Sequence, residues 1–156
     1  MQTEQSSSSE IKATTHNNIK RYKVTEATEL VTVKTRELRG PAFNWAVARA
    51  IWARDIKIHT DLKISAEFAG TLHCACFRPM DNWDLCGEIL QKFRLTIEPH
   101  DSQPAGLWRA SMTRSEPVIV GVSATPCMAI CKVLLAHYFG DTADVPAVLM
   151  RTTARG

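Results

Sequence analysis

The sequence predicts an α+β fold in which an antiparallel sheet of about three to four strands packs against helices. The chain has 156 residues and 45% hydrophobic content, enough for one core but too short for two ordinary domains beside its polar start. Apolar residues alternate with polar ones in several short segments and recur every three or four residues in others. Because no segment repeats along the chain, these elements are expected to pack around a single core.

Three parts are predicted along the chain: a leader at 1–28, one α+β domain at 29–150 and a short tail at 151–156. The first part is rich in Ser, Thr, Asn, Gln and Lys and has only isolated apolar residues. Such a composition cannot offset the entropy of ordering, so the leader and the tail are expected to be flexible. A basic cluster in the leader, at 20–23, either contacts an acidic partner or is a solvated group of charges, the usual state in a tail.

Composition and charge exclude some classes of protein. The net charge of +3 comes from 19 basic and 16 acidic residues, a balance unlike that of a dedicated nucleic-acid binder. No apolar run is long enough to cross a bilayer and the start lacks a signal peptide, so a cytoplasmic location is predicted. The five cysteines are an odd number, and a disulfide between Cys127 and Cys131, one helical turn apart, would be strained. Reduced thiols are therefore expected.

The first predicted elements are a strand and a helix. ELVTVKT alternates from Glu29 in the manner of a short strand. After a turn at Arg39, Pro41 opens the helix AFNWAVARAIWARD. Its apolar side chains surround the axis, which predicts neighbours on several sides and places Trp45 and Trp52 in or near the core, as is expected of Trp108 on a later strand.

The middle of the chain predicts short strands followed by a second helix. The segment 57–77 is expected to form one or two strands broken at Gly70. Asp81 is the predicted N-cap of the second helix, with Asp84 near the positive end of its dipole. Gly87 weakens this helix without forbidding it. The apolar positions that support the helix are Trp83, Cys86, Ile89, Leu90 and Phe93.

The last third predicts a hairpin, one more strand and a long helix. Residues 93–97 and 108–112 alternate on either side of the turn-rich PHDSQPAG, as in an antiparallel pair, and 118–122 adds a third strand. Thr125 is the predicted N-cap of the final helix, Pro126 suits its first position, and Gly140 closes it in a left-handed conformation. The apolar spacing predicts that this helix lies on the sheet; it comes from Cys127, Ile130, Cys131, Leu134 and Tyr138.

Several patches in order resemble a known family. VTVKTRELRGPAFNWAVARA, FRPMDNWDLCGEIL, FRLTIE, ATPCMAICKVLLAHYFGD and VPAVL are similar to the NinX-like proteins of tailed phages and prophages. The resemblance spans about 31–149 and departs from the family pattern in the leader and at 57–76. It implies a phage accessory protein, places it among small phage proteins with a helix–sheet–helix sandwich, and brings no catalytic residue or cofactor.

One cluster carries metal-ligating residue types: His73, Cys74, Cys76 and Cys86. Zinc needs ligands that converge, whereas strand alternation points Cys74 and Cys76 one way and His73 the other. The sequence therefore predicts no metal site and no cofactor. It predicts buried free thiols and a surface histidine instead.

Catalytic groups are present but not positioned. Cys127 and His137 are separated by almost three helical turns, roughly 15 Å at 1.5 Å per residue. Asp81 and Asp84 favour helix capping over acid–base chemistry, and no Gly-rich phosphate loop is present. The protein is therefore predicted not to be an enzyme.

The partner-binding surface predicted from the sequence consists of Trp83 with Arg78, Asp81 and Asp84. An aromatic side chain at a helix start among charges suits a protein contact; the alternative is a staple that packs the preceding loop against the sheet.

The leading hypothesis is a non-enzymatic phage or prophage accessory protein that binds a host or phage macromolecule, expected to be a protein, and inhibits a host process such as defence. The helix start ATPCMAI has no cation before Lys132, which argues against a nucleic-acid partner. One alternative is a pocket, formed between sheet and helices or between subunits, that sequesters a small ligand such as a nucleotide signal. The other is a metal-dependent hydrolase or nuclease that relies on Asp81 or Asp84. The oligomeric state stays open.

Overall fold

The computed structural model describes residues 29–101 and 106–151. The predicted leader and residues 152–156 of the predicted tail lie outside these ranges. The described residues form three α-helices and eight strands. In chain order these are β1 Leu30–Lys34, α1 Gly40–Ala50, β2 Arg54–Ile58, β3 Ile64–Phe68, β4 Thr71–His73, α2 Trp83–Phe93, β5 Thr96–Pro99, β6 Trp108–Met112, β7 Ile119–Ser123, α3 Pro126–Phe139 and β8 Thr142–Pro146.

The strands form three small antiparallel sheets, ordered β1-β8, β2-β3-β4 and β5-β6-β7. This confirms the α+β class and the packing of helices on antiparallel sheets. It also confirms the hairpin of β5 and β6 and its extension by β7, where Ala110 lies opposite Gly121. The strands are divided among three sheets because pairing is set by packing as well as by alternation. β8 was not predicted as a strand, and it pairs with β1 from the far end of the chain, Leu30 opposite Pro146.

Helix α3 is the centre of the core. It packs against α1, α2, β6 and β7. The Thr125 side chain accepts a hydrogen bond from the Met128 backbone N–H at 3.2 Å, as the predicted N-cap should. Gly140 ends the helix with φ 78° and ψ −139°, so its φ is positive as expected but its ψ lies outside the left-handed helical region. Half of the helix is buried, namely Cys127, Ala129, Ile130, Cys131, Val133, Leu134 and Leu135.

Helix α1 begins at Gly40, one residue before the predicted start, with Pro41 in its first turn, and most of its surface is buried as expected. The helix ends earlier than predicted, and Trp52 in the following turn is 72% exposed. The prediction that Trp52 lies in the core is therefore wrong. Trp45 and Trp108 are half-buried against the core. The Arg49 guanidinium lies 5.6 Å from the Trp45 ring centroid and covers it.

Helix α2 begins one residue later than predicted. Its N-cap is Asn82, whose side chain accepts a hydrogen bond from the Leu85 backbone N–H at 3.0 Å. The prediction of Asp81 as the cap is wrong because Asp81 is the last residue of a short 3-10 turn, Pro79–Asp81. Asp84 lies in the first helical turn, as expected.

The segment 57–77 holds the end of β2 and all of β3 and β4, and the last two strands form a hairpin. Phe68 pairs with Thr71 across a turn in which Gly70 has φ 82°. The predicted break at Gly70 is thus the turn itself. A left-handed turn is accessible to glycine because it has no Cβ.

Candidate functional site

A groove of about 790 Å³ lies between α3, β7 and the segment that joins β1 to α1. Its floor is the open side of α3, which carries Met128, Lys132 and Ala136. One wall is 120–123 of β7, and the other is formed by 34–36 together with Leu38 and Arg39. We call this depression the basic groove.

The basic groove concentrates positive charge. Four of its lining residues are cations, Lys34, Arg36, Arg39 and Lys132, and Asp141 is the acidic residue of the lining. Within the described ranges none of these four cations forms a salt bridge with a carboxylate. The groove therefore holds a local excess of positive charge that the net charge of the whole chain conceals.

Two of these cations are oriented by backbone carbonyls. The Lys132 Nζ donates a hydrogen bond to the Val122 oxygen at 2.9 Å. The Arg39 Nη1 donates to the Arg36 oxygen at 2.9 Å and to the Leu38 oxygen at 2.7 Å. Neutral carbonyl partners leave the charges uncompensated, so both side chains remain able to attract an anion.

The close packing of β7 on α3 depends on Gly121. A Cβ at this position would lie 2.7 Å from the Ala129 backbone oxygen and 2.9 Å from the Lys132 Cβ. Only a residue without a side chain allows the strand to lie this close to the helix. The close approach holds the β7 backbone at the wall of the groove.

The predicted partner-binding surface of Arg78, Asp81, Trp83 and Asp84 is built at the start of α2. The Trp83 side chain is 56% exposed. Arg78 and Asp81 form an exposed ion pair with an Nη2–Oδ2 distance of 2.5 Å. The structure thus brings Arg78 and Asp81 together and leaves Trp83 exposed.

Three buried thiols form a second cluster between α2 and α3: Cys86, Cys127 and Cys131. A hydrogen bond with Cys131 and burial raise the pKa of the Cys86 thiol above its ordinary value. Burial, with a smaller contribution from Cys86, raises the pKa of Cys127 to about 12. Thiols held in their neutral form are poor nucleophiles, so Cys86 and Cys127 suit packing better than covalent catalysis.

The expectation of buried thiols is wrong for Cys74 and Cys76, which are exposed in the loop after β4. His73 is half-buried, and its ring meets Phe77 edge-on with centroids 5.8 Å apart. In the described part of the chain, no group of three His, Cys, Asp or Glu side chains is arranged to hold a metal ion.

An aromatic cleft of about 410 Å³ lies beyond the C-terminal turns of α2 and α3. Its lining includes Trp52, Phe93 and Tyr138 together with Lys92 and His137. Trp52 has φ 63°, a conformation that bulky side chains rarely adopt. Sequence reasoning missed this cleft because helical spacing placed Trp52 on a buried face, whereas the helix ends two residues before it.

Fold and site together define a small α+β domain that is built on one buried helix and carries a basic groove along the open side of that helix. The family described as "Bacteriophage P22, NinX" matches residues 34–138, more than half of the chain, so the chain belongs to the NinX family. This confirms the predicted resemblance to NinX-like phage proteins. The family is one of phage accessory proteins and is not a known enzyme class. No curated protein sequence matches the chain.

Within the described residues, no helix combines the length and the apolar character that a bilayer crossing requires.

Proposed function

We propose that this NinX-family protein is a non-enzymatic accessory protein that binds an acidic host or phage protein in its basic groove. One observation carries the proposal. Lys34, Arg36, Arg39 and Lys132 surround a groove of about 790 Å³, and none of them is neutralised by a described carboxylate. Like charges held together without counter-charges cost free energy in the unbound protein, and an acidic partner would remove that cost.

The groove is suited to a steered association. Charges of one sign in a concave surface focus the electric field and raise the rate of encounter with an oppositely charged partner. The core beneath them is close-packed, with Leu134 and Val133 fully buried on the same helix as Lys132. The floor of the groove is therefore preorganised, which lowers the entropy cost of binding.

The Trp83 surface is proposed as a second contact with the same partner. A tryptophan that is 56% exposed, two residues after the exposed Arg78–Asp81 ion pair in sequence, offers an apolar anchor with polar groups nearby in the chain. In this proposal the protein acts in the bacterial cytoplasm and occupies a surface that a host process, such as defence, requires.

The experiment is quantitative affinity capture from bacterial lysate with the tagged full-length chain. Arg36→Glu is compared with Arg114→Glu, which makes the same change of charge at an exposed position outside the groove. We expect a captured protein to be lost with Arg36→Glu and retained with Arg114→Glu, and Trp83→Ala to reduce capture by a smaller factor. Equal capture by both charge variants, or no protein above background, would contradict the proposal.

A second candidate is sequestration of a nucleotide in the same groove. Its volume of about 790 Å³ lies within the range of small-molecule pockets, and its cations suit phosphate groups. The same captures decide between the two candidates when small molecules in the eluate are also identified. A nucleotide that is retained by Arg114→Glu and lost by Arg36→Glu, without a stoichiometric protein, would replace the protein-binding proposal.

A further inference from the structure

The outer edge of β7 forms one wall of the basic groove. β7 is the last strand in the order β5-β6-β7, and 120–123 line the groove. Among the described residues, β7 pairs with β6 and with no other strand. An edge strand presents backbone N–H and C=O groups without partners, which is a template for another extended segment.

The side chains of β7 divide between its two faces. Gly121 and its partner Ala110 are buried beneath α3, so the neighbouring Val120 and Val122 point away from the helix. Val120 is 42% exposed and Val118, just before the strand, is 49% exposed. The edge therefore offers both free backbone groups and an apolar surface beside them.

Lys132 lies at this edge and makes it less accessible to other strands. Its ammonium donates a hydrogen bond to the Val122 oxygen at 2.9 Å. Among the side chains of the described residues, Lys132 alone forms a hydrogen bond with the β7 backbone. A lysine beside an edge strand opposes indiscriminate pairing, because an incoming strand must accommodate or displace the charge. A strand that carries a carboxylate can do so favourably.

We propose that an extended acidic segment of the partner adds to the edge of β7 as a fourth strand of the β5-β6-β7 sheet. This inference rests on the proposed function and specifies how the groove is occupied. The segment hydrogen-bonds to the β7 backbone, places alternate acidic side chains toward Lys132 and Arg36, and places β-branched side chains against Val120.

Charge selects this occupant over a second copy of the chain. Two copies paired through their β7 edges would bring two sets of groove cations together. Like charges opposite one another across strands are destabilising. An acidic segment brings the opposite sign to the same positions, so complementarity favours a partner strand and disfavours self-association through this edge.

The experiment screens a displayed library of random linear twelve-residue peptides for binding to the 156-residue protein. A selected peptide is then synthesised in two forms, N-methylated on one or the other alternate set of its backbone amides, and its binding is measured by fluorescence anisotropy. Only one set of amides faces the neighbouring strand in a ladder. We expect acidic, alternating sequences to be enriched and one methylated set to lower the affinity more than tenfold while the other changes it less than threefold.

Protein variants separate this inference from the proposed function. Lys132→Glu should lower the affinity for the unmethylated peptide more than tenfold, and Arg114→Glu should change that affinity less than twofold. Acidic peptides that are sensitive to Lys132→Glu but affected equally by both methylation patterns would overturn strand addition while supporting an acidic partner in the groove. Selection without acidic enrichment, or binding indifferent to Lys132→Glu, would overturn both.

Discussion

The two sides of α3 have opposite characters although they lie on one helix. On the closed side, Cys131 and Leu134 are fully buried in the core. On the open side, Lys132 forms part of the floor of the basic groove and is exposed. The neighbours make the difference: helix and sheet packing covers one side, and the other faces a gap between β7 and 34–39. An almost wholly apolar helix can thus support a charged site where its neighbours stand apart.

The sharpest test of this comparison is the reactivity of the cysteines. A thiol reagent at pH 8 should label Cys74 and Cys76 rapidly in the native protein, because both are exposed. The three buried thiols should react at least about a thousandfold more slowly, since labelling requires an opening that costs about 5 kcal/mol. Burial raises the pKa of Cys127 to about 12, so its thiolate is scarce at pH 8.

The measurement is mass spectrometry of peptides after timed labelling, with the denatured protein as the control in which all five cysteines react. Labelling of Cys86 or Cys127 as fast as Cys74 would mean that the α2–α3 interface is open.

A second test disturbs the packing of β7, one wall of the groove, on α3. Gly121→Val should lower the free energy of unfolding by about 3 kcal/mol, because overpacking against a backbone atom cannot be relieved by rotating a side chain. A Cβ here would lie 2.7 Å from the Ala129 oxygen. Gly87→Ala is the control, since its Cβ meets no atom within 4 Å, and it should stabilise α2 by up to about 1 kcal/mol.

Urea unfolding of both variants measures the difference between the two glycines. Equal stabilities for Gly121→Val and Gly87→Ala would show that β7 does not lie as close to α3 as the structure indicates.

The smallest expected effect compares adjacent residues on the two sides of the helix. Cys131→Ser should cost about 2 kcal/mol because it buries a hydroxyl in an apolar interface. Lys132→Gln should change the free energy of unfolding by less than about 0.5 kcal/mol, as is usual for a surface position. Thermal and urea unfolding of the two variants test the contrast; similar losses would mean that the sides of α3 are not distinct.

The sequence predicted those parts of the fold whose cause is local. The N-cap of α3 at Thr125, the proline in the first turn of α1 and the hairpin of β5 and β6 follow from capping, proline and alternation, and these were confirmed. Predictions failed where a neighbouring element competed. The 3-10 turn displaced the cap of α2 from Asp81 to Asn82, and the early end of α1 turned Trp52 outward.

Of the two candidate surfaces, the sequence indicated only the one at the start of α2. Trp83 with Arg78, Asp81 and Asp84 could be proposed because these residues are close in sequence. The basic groove could not, because no pattern within one segment relates Lys34 and Arg36 to Lys132. The pocket between sheet and helices that was raised as an alternative indicated only the general kind of location.

By itself the sequence determined the α+β class, the central helix and the membership of the NinX family, because capping, periodicity and family-specific patches are carried by residues that are close along the chain. The tertiary structure alone decided which strands pair, which side of α3 is covered and where positive charge accumulates. Each of these depends on the packing of segments that lie far apart in sequence, and local residue patterns do not specify such contacts.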